Sequence, residues 1–265
     1  MSSNVFTLYY TPYSIRSTMV RTMLALKDAP RDGRPDMIIH YKVVNISNDN
    51  PEQLNEHSLS KVNPKGKVPV LVNDTLLSKP MPETVDISYY ICDWYPKLLP
   101  PKHETVIKEL VAELHKINFT ILSFGPQSKN QAKLAERAQN LLSQPNVSEE
   151  YAEALSNKAS DLNQAQRSFT PDGLIENETR VRDLCLKVAN LMQYDGREGT
   201  GLSYIFGPCP TVLDAHILPL LCRMADVKRS NLIQPQVLKW VERFRESDMW
   251  RELVPSGTTL PPGPS

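Results

Sequence analysis

Cysteine is scarce in this chain and never closely paired: Cys92, Cys185, Cys209 and Cys222 are the only four in 265 residues, and no two stand as Cys-x-x-Cys. That scatter argues against a disulfide framework and against a zinc site, and it predicts reduced thiols, mostly in the core. A charge surplus is also missing, since 30 Lys and Arg balance 30 Asp and Glu. Without a basic excess, a nucleic-acid partner is not expected. No apolar run approaches the roughly 18 residues that a membrane helix needs, so no membrane partner is expected either. The opening Met-Ser-Ser-Asn-Val-Phe lacks the basic-then-apolar layout of a secretory signal. The expectation is a cytoplasmic protein, in which the glycosylation sequons headed by Asn45, Asn118, Asn146 and Asn177 carry no meaning. No internal repeat stands out. What is left is an ordinary globular composition, 40% hydrophobic and 23% charged, with length enough for one large domain or two small ones.

In chain order, Val5 to Tyr10 reads as a first strand. Thr11-Pro12 reads as a cap and first turn of a helix to about Lys27, with Ile15, Met19, Thr22, Met23 and Leu26 on one face. Asp28 to Asp36 is a loop, Met37 to Val44 a second strand, and Pro51 to Leu59 a short helix or turn. A strand through Val68–Val72, a last strand around Thr75–Ser78 and a helix over Thr84–Trp94 complete the order βαβαββα. Tyr95-Pro-Lys-Leu-Leu-Pro-Pro101 is a proline-rich break, which predicts domains at 1–95 and 101–254 and a proline-rich tail at 255–265, disordered over Leu260 to Ser265. Beyond the break the pattern is helical. Ile107, Leu110, Val111, Leu114, Ile117 and Ile121 recur at helical spacing, as do Val181, Leu184, Cys185, Val188, Leu191 and Met192, then Val237, Trp240, Val241 and Phe244. Thr211-Val-Leu-Asp214 before an apolar run is a capping-box pattern, with a folding role. His216 on the same run reads as a packed or solvated histidine. The polar stretch 127–166 reads as longer helices or a long connection.

The densest signal is Asn63-Pro-Lys-Gly-Lys-Val-Pro-Val-Leu-Val72, followed by Pro82-Glu-Thr84. Pro69 cannot donate to a sheet ladder, so it marks the turn into a strand, and a cis Val68–Pro69 bond suits that turn. Such a bend turns the N–H and C=O of Val68 outward, toward an added extended peptide. Glu83-Thr84 opens the next helix, where free N–H groups and the dipole favour an anion. These parts suit a small peptide carrying a carboxylate.

This stretch resembles the glutathione-binding half of a glutathione S-transferase, and the Thr211–Asp214 motif is similar to the capping motif in that family's helical domain. The resemblance covers roughly residues 4–125 and 180–252 and implies an α/β plus all-α architecture: a thioredoxin-like N-terminal domain, then an all-helical bundle. The similarity is to cytosolic, fungal-like members with a serine or threonine at the N-terminal site. It implies glutathione as co-substrate, no metal, a hydrophobic electrophile as second substrate, and a homodimer. Lys67 then holds a glutathione carboxylate, Val68 supplies backbone contacts beside Pro69, Glu83 pairs with the γ-glutamyl ammonium, and Thr84 binds the adjoining carboxylate. His57 and Lys65 lie at the rim. Each has a plainer reading: a solvated lysine, a turn proline, a helix start stabilised by an acid and a hydroxyl. The hairpin between Pro69 and Glu83 is a few residues longer than the family's pattern.

A transferase must supply thiolate. Lowering a thiol's pKa by about two units needs roughly 2.7 kcal/mol of preference for the anion. A helix N-terminus gives roughly 0.3–1 kcal/mol, and a hydrogen bond to a charged group roughly 1.5–3 kcal/mol. A hydroxyl is therefore expected at the start of the first helix, and the candidates are Thr11 first, then Ser14 and Tyr10. Thr11 matches the slot that serine holds in tau-like members, and Tyr10 the strand-end tyrosine of alpha-like ones. Against this stand a capping role for Thr11, capping or exposure for Ser14, and a packed aromatic for Tyr10. The second substrate is expected near Tyr13, Ile117, Phe119, Leu122 and Phe124, residues that serve equally as helix-packing core. The leading reading is a transferase adding thiolate to an electrophile, or isomerising or opening a ring, in detoxification or small-molecule biosynthesis. The alternative is a non-catalytic binding or regulatory module of the same fold. A thiol oxidoreductase needs a cysteine nucleophile, and position 11 is threonine.

Overall fold

The computed structural model describes residues 4–46, 51–193 and 203–261. The chain divides into two compact units, each discontinuous in sequence. The first comprises Met1–Thr11, Met37–Glu83 and Phe124–Leu174, and the second Pro12–Asp36, Thr84–Ser123 and Ile175–Ser265.

The first unit holds a three-stranded sheet of order β2-β1-β3. In β1 (Val5–Tyr10), Phe6 and Leu8 are fully buried and alternate with half-exposed neighbours, the period of a strand with one covered face. β2 (Ile38–Val43) runs parallel to it, Val5 opposite Ile38 and Tyr10 opposite Val43. β3 (Val70–Val72) runs antiparallel, with Leu8 opposite Leu71. The expected fourth strand at Thr75–Ser78 does not form. Asn73 closes that stretch as a turn instead, its side-chain oxygen accepting from the N–H groups of Thr75 and Leu76, and only Met81 pairs back onto Leu71. Residues 51–62 form two short turns, a 3-10 turn at Glu52–Leu54 and a π turn at Ser58–Val62.

The polar stretch becomes two helices of this unit, α5 (Asn130–Leu142) and α6 (Glu149–Gln166). Their apolar residues Ala138, Ala154, Leu155 and Ala159 join Leu54 and Leu59 in one buried cluster. Ser148 caps α6 by accepting from the Tyr151 N–H.

The second unit is helical: α1 (Ile15–Leu26), α2 (Thr84–Trp94), α3 (Glu104–His115), α4 (Phe119–Phe124, up to Ser123), α7 (Pro171–Gln193, from Ile175), α8 (Val212–Asp226), α9 (Pro235–Arg245) and α10 (Asp248–Leu253). The α1 face read from the sequence, Ile15, Met19, Thr22, Met23 and Leu26, is buried. So are Ile107, Leu110, Val111, Leu114, Ile117 and Ile121, although the chain breaks between α3 and α4. The capping box of α8 forms. Asp214 is fully buried and accepts from the Ile205 N–H (2.8 Å), the Thr211 N–H (2.8 Å) and the Thr211 hydroxyl (2.7 Å). Burial raises its carboxyl to about 6 against these donors.

The proline-rich tail is held at its start: Thr259 is buried, its hydroxyl and N–H donate to Asp226, and Arg223 donates back to it. Residues 262–265 of that tail lie outside the described residues. Ile117, Phe119 and Leu122 are buried core rather than an open apolar wall, while Phe124 is exposed. The four cysteines are free thiols, three of them buried, and desolvation pushes Cys92 and Cys185 up to about 12.

Candidate functional site

In the first unit the loop 63–69 is fastened on both flanks. Asn63 is buried and works three times: its Nδ2 donates to the Lys67 carbonyl (2.8 Å), its Oδ1 accepts from the Lys65 N–H (3.0 Å), and its carbonyl accepts from the Gly66 N–H (2.8 Å). Gly66 has φ +53, and a Cβ there would stand 2.7 Å from the Gln53 carbonyl oxygen. Both facts demand glycine. Lys158 of α6 reaches into the same loop, its Nζ donating to the carbonyls of Lys65 (2.6 Å) and Gly66 (3.0 Å). It is only 4% exposed. Burial, with the nearby charge of Lys67, brings it down to about 8. Tyr151 and Ser148 of the same hairpin bond to the Leu54 carbonyl and to Glu56. The inserted helices thus buttress the loop from behind.

At the end of the loop the Val68–Pro69 bond is cis, as the sequence pattern predicts. Pro69 is buried and Val68 half-buried. Among the described residues the peptide N–H and C=O of Val68 carry no hydrogen bond, whereas the residues on both sides are tied into the loop and the sheet. Lys67 is exposed. Glu83 pairs with Lys65 at 2.7 Å, both side chains about half exposed, and this pairing raises the Lys65 ammonium. Lys65, read from the sequence as a rim residue, therefore holds the carboxylate expected to take a ligand's ammonium. Tyr10 lies edge-on to Tyr41, ring centroids 5.7 Å apart, in the packed-aromatic role. Thr11 is buried, 4% exposed. It does not cap the first helix.

The second unit carries the other two candidates. Ser14 is the cap of α1: its hydroxyl oxygen accepts from the Ser17 N–H (3.2 Å), and its carbonyl from the Thr18 N–H and hydroxyl. The helix starts at Ile15, three residues later than Pro12 implied, because Pro12-Tyr13 form a turn and serine is as good a cap as threonine or better. Arg223 of α8, buried, donates from Nη2 to the Tyr13 carbonyl (2.7 Å) and from Nη1 to Ser123 (2.9 Å), so the approach to Ser14 is tied to the middle of the helical unit. Thr84 is the first residue of α2 and is buried, and its carbonyl accepts the Ser88 hydroxyl at 2.7 Å.

Sequence reasoning missed Lys158 and Arg223. Lys158 left a trace, since it sits at helical spacing among Ala154, Leu155, Ala159 and Leu162, a lysine on an apolar stripe.

Residues 8–101 match the family model for the glutathione S-transferase N-terminal domain. No sequence among the curated proteins matches the chain. Among solved structures it is similar to a bacterial zeta-class maleyl pyruvate isomerase at 18% identity and TM-score 0.56, covering 95% of this chain and 98% of that one. It is similar to a diazinon-metabolizing glutathione S-transferase of the silkworm Bombyx mori at 16% identity and TM-score 0.56, covering 95% and 97%. It is also similar to a mutant of human glutathione S-transferase T1-1, at 15% identity and TM-score 0.56, covering 98% and 92%. Residues 8–101 thus match a glutathione S-transferase N-terminal domain, and the chain shares the fold of these glutathione S-transferase structures.

Proposed function

We propose that the protein is a glutathione-dependent transferase that binds glutathione on the loop before Pro69 and passes its thiolate to a hydrophobic electrophile. The observation that carries this reading is the unpaired peptide of Val68, among the described residues, in a loop otherwise tied down on both flanks. A backbone N–H and C=O left together without partners are what an extended ligand needs in order to add as a strand. Lys67 and Pro69 flank that contact. Glu83 takes the ligand's ammonium in exchange for Lys65, and Thr84 opens the helix whose N–H groups take the adjoining carboxylate.

The thiol proton leaves to solvent. The sulfur lone pair then forms a bond to the electrophilic carbon, and a leaving group departs or an activated double bond takes up a proton. Reversible addition of the same kind isomerises or opens a ring, and the bacterial maleyl pyruvate isomerase is named for an isomerisation. Of the three hydroxyls, Ser14 suits thiolate best. Its oxygen already accepts from the Ser17 N–H, which leaves its proton for a sulfur. Detoxification and small-molecule biosynthesis are the settings proposed, in the cytoplasm and as a homodimer, for which light scattering should give twice the chain mass.

Retention on immobilised glutathione followed by conjugation of a generic aromatic electrophile tests the reading. Ser14→Ala should lower kcat/KM about 10- to 150-fold, the value of one hydrogen bond to a charged group, while Thr11→Ala should change it less. If Thr11→Ala or Tyr10→Phe abolishes conjugation and Ser14→Ala does not, the assignment of the hydroxyl is wrong. The second reading, a binding module without turnover, draws on the burial of Thr11 in the slot where relatives place their activating residue. Binding without conjugation of any electrophile in a broad panel would establish it.

A further inference from the structure

Four side chains of the helical unit form one continuous chain of hydrogen bonds that glutathione activation does not use. Arg16 Nη1 meets His115 Nδ1 at 2.7 Å, His115 Nε2 meets His216 Nδ1 at 2.9 Å, and His216 Nε2 meets Ser88 Oγ at 2.8 Å. The Ser88 hydroxyl meets the Thr84 carbonyl at 2.7 Å. His216 and Ser88 are fully buried, Thr84 nearly so, and Arg16 and His115 half-buried. The chain runs from the first turn of α1, two residues after the Ser14 cap, through α3 and α8 to the first turn of α2.

Its two ends determine its direction. A guanidinium only donates, so His115 Nδ1 must be a lone pair and the ring proton must sit on Nε2. A carbonyl only accepts, so the Ser88 proton goes to Thr84 and its oxygen must accept from His216 Nε2–H. His216 Nδ1 is then a lone pair that receives the His115 proton. Each of the three central groups has one proton to give and one lone pair to fill, and both imidazoles are neutral in the same tautomer. A proton added to either ring would set two donors against each other. Arg16 also lies 5.1 Å above the Phe119 ring, which packs beside His115 and holds the donor end in place.

We propose that this one-way chain positions the first turn of α2 for the carboxylate of the tripeptide, with His115, His216 and Ser88 as positioning residues and Arg16 as the donor that orients them. The inference rests on the glutathione reading for its purpose but not for its tautomers. A serine that bonds back to the carbonyl four residues earlier bends or loosens a helix when left to itself. Here the Ser88 oxygen is held from the other side by His216, so the Thr84 turn and its N–H groups are held as well. Hydrogen bonds in such a series polarise one another, so loss of one link weakens the rest.

Two measurements test it. Long-range proton–nitrogen correlation on the folded, histidine-labelled protein at about pH 7 should show both rings neutral with the proton on Nε2. A ring protonated on Nδ1, or charged, overturns the chain whether or not glutathione binds. Kinetics then test the purpose. His216→Leu should raise the KM for glutathione about 10-fold, with kcat within about two-fold, and His216→Gln, whose amide can again donate to Ser88, should recover most of the loss. Arg16→Met, at the half-buried end, serves should the buried variants fail to fold; it should raise KM in the same sense and release the His115 tautomer. If wild type binds glutathione and the folded variants keep its KM, the positioning role is refuted. If wild type does not bind while the tautomers are as stated, the glutathione reading falls, and the positioning role falls with it.

Discussion

At the scale of single residues, Lys158 carries the sharpest consequence. Its amine is nearly out of water and spends its donors on two backbone carbonyls of the loop before Pro69. Burial lowers it from the ordinary lysine value of 10.5 to about 8. The folded protein therefore releases this proton earlier than the unfolded chain does. Holding the buried charge is a penalty present in full below about pH 8 and relieved as pH climbs toward the lysine value, so this residue makes stability rise with pH in that window, by about 1.4 kcal/mol per unit. Urea unfolding of wild type and of Lys158→Met at about pH 7 and about pH 9.5 should show the gap between them shifting in favour of wild type by roughly 2 kcal/mol at the higher pH. A constant gap would mean that the amine titrates normally. The same substitution leaves two loop carbonyls without their donor, so the KM for glutathione should also rise.

Helices and strands are legible in the sequence where a residue's partners lie within a few positions. Asn63 serves Lys65, Gly66 and Lys67, and Asp214 serves Thr211, so both motifs lie within reach of a spacing argument, whereas the Ile205 N–H that Asp214 also accepts stands nine positions away. The start of α1 reads three residues early because two good caps, Thr11 and Ser14, compete, and only the turn at Pro12-Tyr13 decides between them. The expected strand at Thr75–Ser78 gives way to the Asn73 turn, a local competition of the same kind. Lys158 stands 93 positions from Lys65, and His216 stands 101 from His115, so no periodicity ties either pair together. The α8 cap yields a clear prediction. Asp214→Ala removes the acceptor for two buried N–H groups and a hydroxyl. With roughly 1 kcal/mol for a cap and about 1–3 kcal/mol for a buried donor left unmet, the loss should be about 3 kcal/mol in denaturant unfolding. Asp214→Asn, which keeps one oxygen, should lose less.

Across the whole molecule, the two compact units do not follow the proline-rich break at 95–101. Sheet and inserted helices form one, and the helices of both halves of the chain form the other. Compactness is a property of distant contacts, and composition shifts along a chain do not report it. Global stability against acid follows from the same burial. His216 lies fully inside the helical unit, facing His115 from α3, Arg16 from α1 and Ser88 from α2, with Asp214 two residues away on its own helix. Burial foremost, then the closeness of His115 and Arg16, hold it well below the usual histidine value. The unfolded chain takes up a proton near 6.5 and the folded chain does not, so His216 lowers stability as pH falls below that value, by about 1.4 kcal/mol per unit. Asp214 acts in the opposite sense. Its folded value of about 6 lies above the unfolded 3.8, so the native state keeps a proton through that interval and gains stability as pH falls across it. Between these values the two slopes oppose, and wild type should lose little from this pair on mild acidification. His216→Gln removes one slope and leaves the other. Relative to wild type, the variant should therefore gain about 2 kcal/mol between about pH 6.5 and about pH 5, read as a converging pair of urea midpoints. Parallel midpoints over that range would mean that His216 takes up its proton inside the fold, which the chain from Arg16 to Thr84 does not permit.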